Sequence, residues 1–226
     1  MQRFSHLSNK NNKLGLSTPY ASGNGEGLIS ATGNYTIGSF TVGIKFINTN
    51  IANNGYLLYC DDSIIPKSMY WAIECAGDDL RFVTNPDGAQ AMYGALEEGK
   101  TYHLYFYVEF TDVVYYLSDE LGNIVSSGML AITALAPSTA RIIFLNSSAG
   151  DSPFAGTVYD FLFLDSPESM QDIYLAGGAF KALWAIYFPM REGIGTTCTC
   201  VNTGETMTAF NSFQWTTALN DSHRWI

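Results

Sequence analysis

Hydrophobic and polar side chains alternate along much of this chain with a period of two. In 39–47, Phe40, Val42, Ile44 and Phe46 fall on one side of an extended segment, and Ser39, Thr41, Gly43 and Lys45 on the other. That pattern marks a half-buried strand. Segment 101–110 repeats it. Tyr102, Leu104, Phe106, Val108 and Phe110 make a core face, and His103, Tyr105, Tyr107 and Glu109 make the opposite face. Further strands are predicted at 56–60, 69–75, 80–84, 112–118, 124–127, 141–145, 183–188, 196–201 and 206–214. Turn chemistry separates them. In Asn85-Pro86-Asp87-Gly88 the proline presets φ and the glycine takes the positive one. Residues 119–123 form a second turn.

Segment 154–170, FAGTVYDFLFLDSPESM, joins two kinds of pattern. Gly156 suits a close backbone approach or a bulge. Val158 and Phe161 are an odd number of residues apart and cannot share a face of a regular strand. A β-bulge near Tyr159-Asp160 puts Val158, Phe161 and Phe163 all inward. Ser166 then reads as a helix N-cap, Pro167 as the first helical residue, and Glu168 as a favourable charge in the first turn. A short helix is predicted over 166–176, ending at Gly177-Gly178.

Many short strands, a turn about every ten residues and one short helix predict an all-β fold, a two-sheet antiparallel β-sandwich. No βαβ alternation and no repeat of 20 to 50 residues is present. Residues 1–34 are rich in Asn, Ser and Gly and read as an N-terminal arm with one short strand near 27–30. Residues 35–226 read as a single sandwich domain.

Composition narrows the function. The 226 residues are 47% hydrophobic and only 14% charged, against about 25% in an average protein. Ser, Thr, Asn, Gly and Tyr carry the polarity, as on surfaces that touch other proteins. The formal charge is −10, and the 11 basic residues are scattered, so neither nucleic acid nor an anionic membrane surface is an expected partner. No apolar run reaches the length of a spanning helix. The first residues, MQRFSHLSNKNNKLG, lack the apolar core of a secretion signal.

Chemistry-bearing motifs are sparse. The cysteines at 60, 75, 198 and 200 do not form a dense framework and read as thiols; Cys-Thr-Cys at 198–200 is not a zinc spacing. The glycine-rich 22–27 neither follows a strong strand nor opens a helix, so it reads as a bend, not a phosphate loop. No nucleophilic serine motif occurs, and no catalytic residue is assigned.

The residues carry a family resemblance. Phe154-Ala155-Gly156-Thr157-Val158-Tyr159-Asp160, the strand after it and the Asp165-Ser166-Pro167-Glu168 helix start resemble the "pF-x-G-x-I" strand and helix of laminin-G-like, concanavalin A-like jelly rolls. The hairpin of 101–110 and 113–117, with its turn at 119–123, is similar to that family's "W-H-x-a … l-Y-v-D-G" hairpin, with Tyr102 at an aromatic position. The match covers 35–176. Tyr187-Phe188-Pro189-Met190-Arg191-Glu192-Gly193-Ile194-Gly195-Thr196-Thr197 resembles the family's opening segment, "Y-x-f-x-E-G-x-G-t-t", but here it follows the sandwich. Two readings stay open. Either the sandwich is circularly permuted and 183–226 completes it, or that tail pairs with a neighbouring subunit.

The resemblance implies several chemistries. Relatives of this pattern include carbohydrate-binding modules, adhesion domains and bacteriophage virion proteins. Trp71, His103, Tyr105, Tyr107 and Glu109 are the glycan-binding candidates; the rival reading makes these tyrosines a second packing layer. Some laminin-G-like domains hold calcium, for which Asn146 and Asp151 are the candidates, although two oxygens fall short of the six to eight calcium takes. No other cofactor is implied. The glycoside hydrolase pattern E-x-D-x-x-E of some relatives is absent. Glu109 and Asp112 come nearest; a spacing of three would set them on opposite faces of a continuous strand, and the preferred reading is that they flank a hairpin.

The resulting expectation is a non-enzymatic structural subunit of a bacteriophage virion (a decoration, fibre or tail-associated piece). Its arm and tail would contact other virion proteins or copies of itself, with glycan contact as an added role. The alternatives are a carbohydrate-binding module of a bacterial surface protein and a diverged glycoside hydrolase.

Overall fold

The computed structural model describes residues 14–17, 27–30, 35–62, 69–85, 87–135, 138–147, 152–167, 186–188, 197–200, 204, 206–210 and 214–217. All the regular structure among them is strand. In chain order these are β1 (Leu14–Ser17), β2 (Gly27–Ser30), β3 (Tyr35–Ile37), β4 (Ser39–Asn48), β5 (Asn54–Asp62), β6 (Met69–Ala76), β7 (Asp79–Thr84), β8 (Gly88–Gly94) and β9 (Thr101–Glu109). They continue as β10 (Asp112–Asp119), β11 (Ile124–Ala131), β12 (Ser138–Phe144), β13 (Gly156–Leu164), β14 (Ile186–Phe188), β15 (Thr197–Thr199), β16 (Thr206–Phe210) and β17 (Gln214–Thr217).

The strands form two antiparallel sheets, as the alternation predicts. One runs β11-β10-β9-β4-β13-β1-β17, with β14 also on β13; the other runs β15-β16-β2-β12-β5-β6-β7-β8, with β3 also on β12. Their inner faces pack together into a core that is aromatic at its centre. Trp71 stacks on Phe40 at 5.2 Å and on Phe82 at 6.2 Å, and meets the edge of Phe106 at 5.6 Å. Phe40 stacks in turn on Phe163. All five rings are buried. Truncating one such ring to Ala costs about 3–5 kcal/mol.

The alternation in β4 holds residue by residue, with Phe40, Val42, Ile44 and Phe46 all in the core. The bulge in β13 is present. Val158 pairs with Phe46, Asp160 with Lys45, and the register shifts between them, leaving Tyr159 as the extra residue. Val158, Phe161 and Phe163 therefore all face inward and are buried.

Some expectations need correction. Phe110 is not in the core: β9 ends at Glu109, and Phe110 lies in the turn with φ 55° and 72% of its surface exposed. Strand periodicity cannot be extrapolated through a chain reversal. Strand β8, absent from the sequence reading, exists as a sheet edge; its run Gly-Ala-Gln-Ala-Met-Tyr-Gly buries only Met92 and so carries almost no hydrophobic signal. Strands β1 and β3 were also not expected, and β11 extends to Ala131. Most of the helix predicted over 166–176 lies outside the described residues. Ser166, at its expected start, accepts a hydrogen bond on its backbone oxygen from Thr41 Oγ1 at 2.8 Å.

Strands from both ends of the chain are built into the sheets. Strand β1 lies between β13 and β17, and β2 lies between β12 and β16. At the other side the two sheets are stitched along the β8–β11 edges. Met92 O accepts from Tyr115 Oη at 2.7 Å and from Ser126 Oγ at 2.8 Å, and Gln90 Nε2 donates to Ala131 O at 2.8 Å.

Candidate functional site

The outer face of the eight-stranded sheet carries most of the predicted glycan residues. Register fixes their neighbours. On β9 and β10, Tyr107 sits opposite Val114, Tyr105 opposite Tyr116, His103 opposite Ser118, and Glu109 opposite Asp112. On the other flank, β4 sets Thr41, Gly43 and Lys45 beside Tyr107, Tyr105 and His103. Beyond β10, Met129 and Ser127 of β11 continue the rows.

This face divides along β9. Towards β13 it is covered: Tyr105, Thr41, Lys45, Leu162 and Leu164 are all buried. Tyr105 lies beside Gly43, where an added Cβ would already be in van der Waals contact with the Tyr105 ring and with Leu162. Lys45 holds its ammonium 5.4 Å from the Tyr159 ring centroid. Towards β11 the face is open. Tyr107, Val114, Tyr116 and Asp112 are half-buried, and Glu109 and Met129 are exposed. Tyr107 and Tyr116 are diagonal neighbours across a strand pair, about 7–8 Å apart at the backbone. Partial burial raises the Tyr107 phenol above its ordinary pKa, and Tyr116, Glu109 and Asp112 add to the effect.

The candidate set is therefore split. Tyr107, Glu109 and the half-buried His103 belong to the open half or its margin, whereas Tyr105 is a packing residue, as the second-layer reading of these tyrosines holds. Trp71 does not join them. It lies on β6 in the other sheet, points inward, is fully buried, and its Nε1 has no hydrogen-bond partner among the described residues. A fully buried indole cannot stack on a ligand from solvent.

Tyr116, Val114 and Asp112 complete the open face and were not among the sequence candidates. The signal was present: with Val113, Tyr115 and Leu117 inward, their neighbours on β10 must face out. Asp112 and Glu109 flank a hairpin, the reading the sequence favoured. The chain reverses between them, so the two acids are cross-strand partners on one face.

Elsewhere, the calcium candidate Asn146 is buried, and its Oδ1 accepts the backbone N–H groups of Ser147 at 2.8 Å and Ser152 at 3.1 Å. That oxygen holds the loop together. Asp151 lies outside the described residues. Cys60 and Cys75 are core residues whose thiols burial pushes far above their usual pKa; they are packing groups rather than nucleophiles. The outer face of the second sheet has its own small cluster, Tyr59, Ala72, Val83 and Ile143. Beside it, Arg141 Nε and Nη2 donate to the buried Asp61 at 2.6 and 2.9 Å.

No protein-family model matches the chain, and no curated protein matches it in sequence. Solved structures do match. The chain is similar to a native heptameric SAP-like pentraxin from Limulus polyphemus, with TM-score 0.62 and 12% identity over 92% of this chain and 96% of that one. It is also similar to a putative carbohydrate binding protein from Bacteroides ovatus ATCC 8483, with TM-score 0.66 and 11% identity over 95% of this chain and 61% of that one. A weaker likeness, TM-score 0.47 and 16% identity over 68% of this chain and 41% of that one, is to domains LG4-5 of the mouse laminin alpha1 chain. At these identities the likeness is one of fold. Two stacked antiparallel sheets with this strand order, matched over nearly the whole chain, make this protein a concanavalin A-like jelly roll.

Proposed function

We propose that the chain binds carbohydrate on the open half of the eight-stranded sheet's outer face. The observation that carries the reading is the placement of Tyr107 and Tyr116, diagonal neighbours on β9 and β10, beside the Glu109–Asp112 pair. Sugars present an apolar C–H face and a rim of hydroxyls. The first suits a tyrosine ring, and the second donates to carboxylate oxygens. The likeness to the Bacteroides ovatus protein, described as a putative carbohydrate binding protein, supports the same class. The charge of −10 and the two acids at the site favour neutral glycans over sialylated or uronate-rich ones, because like charges disfavour binding. Nothing in these likenesses supports a virion role.

A second reading, glycoside hydrolysis, has the Glu109–Asp112 pairing in its favour. Directly opposed residues have Cβ atoms about 4.5–5.5 Å apart, near the spacing a retaining pair of carboxyls needs. General-acid work also calls for a desolvated carboxyl, and Glu109 is exposed at the end of a hairpin. The proposal is therefore binding without cleavage.

A glycan array followed by calorimetry tests it. Neutral oligosaccharides should bind and anionic ones should not, and Tyr107→Ala and Tyr116→Ala should each weaken binding by about tenfold or more. A blank array, or full affinity in both variants, overturns the reading. Release of reducing ends that Glu109→Gln abolishes would transfer it to the hydrolase.

A further inference from the structure

Two residues other than glycine have a positive φ among the described residues, and they differ in what offsets the strain. Leu145, at φ 64°, is fully buried. Its N–H donates to Leu57 O at 3.1 Å, and its oxygen accepts from Phe154 N at 2.9 Å. Core packing and two hydrogen bonds compensate the left-handed backbone there. Phe110, at φ 55°, is 72% exposed, so burial offsets almost nothing.

The position makes a phenylalanine costly. Glu109 and Asp112 are the last pair of the β9–β10 hairpin, so its loop is Phe110-Thr111. A two-residue hairpin loop whose first residue has positive φ takes glycine or asparagine by preference. For a bulky residue the conformation is an outlier, disfavoured by about 1–2 kcal/mol. The loop is also anchored from outside, since Thr111 O accepts from Ile132 N at 2.7 Å. An anchored turn thus carries a solvent-facing phenyl ring directly beyond Glu109 and Asp112. Backbone strain held in place by its surroundings in this way clusters at active sites and ligand clamps.

We infer that Phe110 is a ligand-stacking residue that extends the carbohydrate site past the end of the strands, so that the ligand is an oligosaccharide rather than a single sugar. The inference rests on the glycan reading of the face beside it. Phe110 follows Glu109 directly, in the loop next to the Glu109–Asp112 pair that ends the open face. Tyr116 lies further along the same face. A chain of several sugars can lie across Tyr116 and Tyr107 and end against Phe110, with its hydroxyls toward Glu109 and Asp112.

The test compares Phe110→Asn and Phe110→Tyr with the unaltered chain, using the best neutral oligosaccharide from the array and its monosaccharide unit. Asparagine tolerates the left-handed conformation and removes the ring. The expected result is a melting temperature higher by about 2–4 °C in Phe110→Asn, with oligosaccharide affinity about tenfold weaker. Monosaccharide affinity should be unchanged, and Phe110→Tyr should bind as the parent does. If Phe110→Asn binds the oligosaccharide normally, Phe110 has no part in binding, while the glycan reading survives. If Phe110→Asn melts lower, the ring is structural and the inference fails. If the unaltered chain binds no glycan, both readings fall together.

Discussion

At the scale of single residues, Gly156 shows how one missing side chain lets the sandwich close. It pairs with Asn48 at the start of β13. A Cβ there would collide with the Ile47 carbonyl oxygen and the Phe154 ring. Neither can yield readily: Ile47 is in the β4 ladder, and Phe154 is buried edge-on against Phe46 at 6.2 Å. Gly156→Ala should therefore destabilise the fold by about 3 kcal/mol. A urea midpoint that falls at constant m checks this; an unchanged midpoint would mean the backbone contact relaxes freely. Sequence reasoning singled out Gly156 for a close approach or a bulge, and the structure separates the two. The approach is at Gly156, and the bulge comes three residues later.

At the scale of elements, the bulge in β13 makes an unusual prediction. Tyr159 is the extra residue of the bulge, since Val158 pairs with Phe46 and Asp160 with Lys45. Deleting Tyr159 would leave a regular ladder with Val158, Phe161 and Phe163 still inward. The loss includes its own burial and its contact with Lys45, on the order of 3–4 kcal/mol. Deleting Leu162 instead removes a paired residue and turns Phe163 to the outer face. The first variant should fold, with native-like circular dichroism and a lower melting temperature. The second should yield no soluble folded protein. Equal behaviour of the two deletions would show that the register is not held by the inward aromatics. The same alternation made the inner face of β9 legible, but it could not announce where β9 stops. Phe110 continues the apolar parity of its strand, and only the cross-strand pairing of Glu109 with Asp112 shows that the chain has already turned.

At the scale of the whole molecule, each sheet holds a strand from the chain's start flanked by one from its end. Strand β17 covers β1, and β16 covers β2. A chain ending at Gly195 would lose β15, β16 and β17 and leave β1 and β2 as open edges, which invite pairing with other molecules. Such a truncation should elute as aggregate in size-exclusion chromatography. A monodisperse, folded truncation would show that the last strands are dispensable.

The sequence by itself determined the architecture, because burial of one face of a pleated strand imposes a period of two that is written locally. It fixed Phe40, Phe46 and Phe106 as core rings, the bulge that brings Val158, Phe161 and Phe163 together, and the outward set on β9. It could not assign strands to sheets or say which outer surface stays open, since those depend on contacts between residues far apart in the chain. Trp71 and Tyr105 have strand contexts much like that of Tyr107, yet packing buries the first two and leaves Tyr107 half exposed. Only the tertiary structure placed Tyr116 beside Tyr107 and left Phe110 strained in solvent, because each follows from where the chain turns and what then lies across from it.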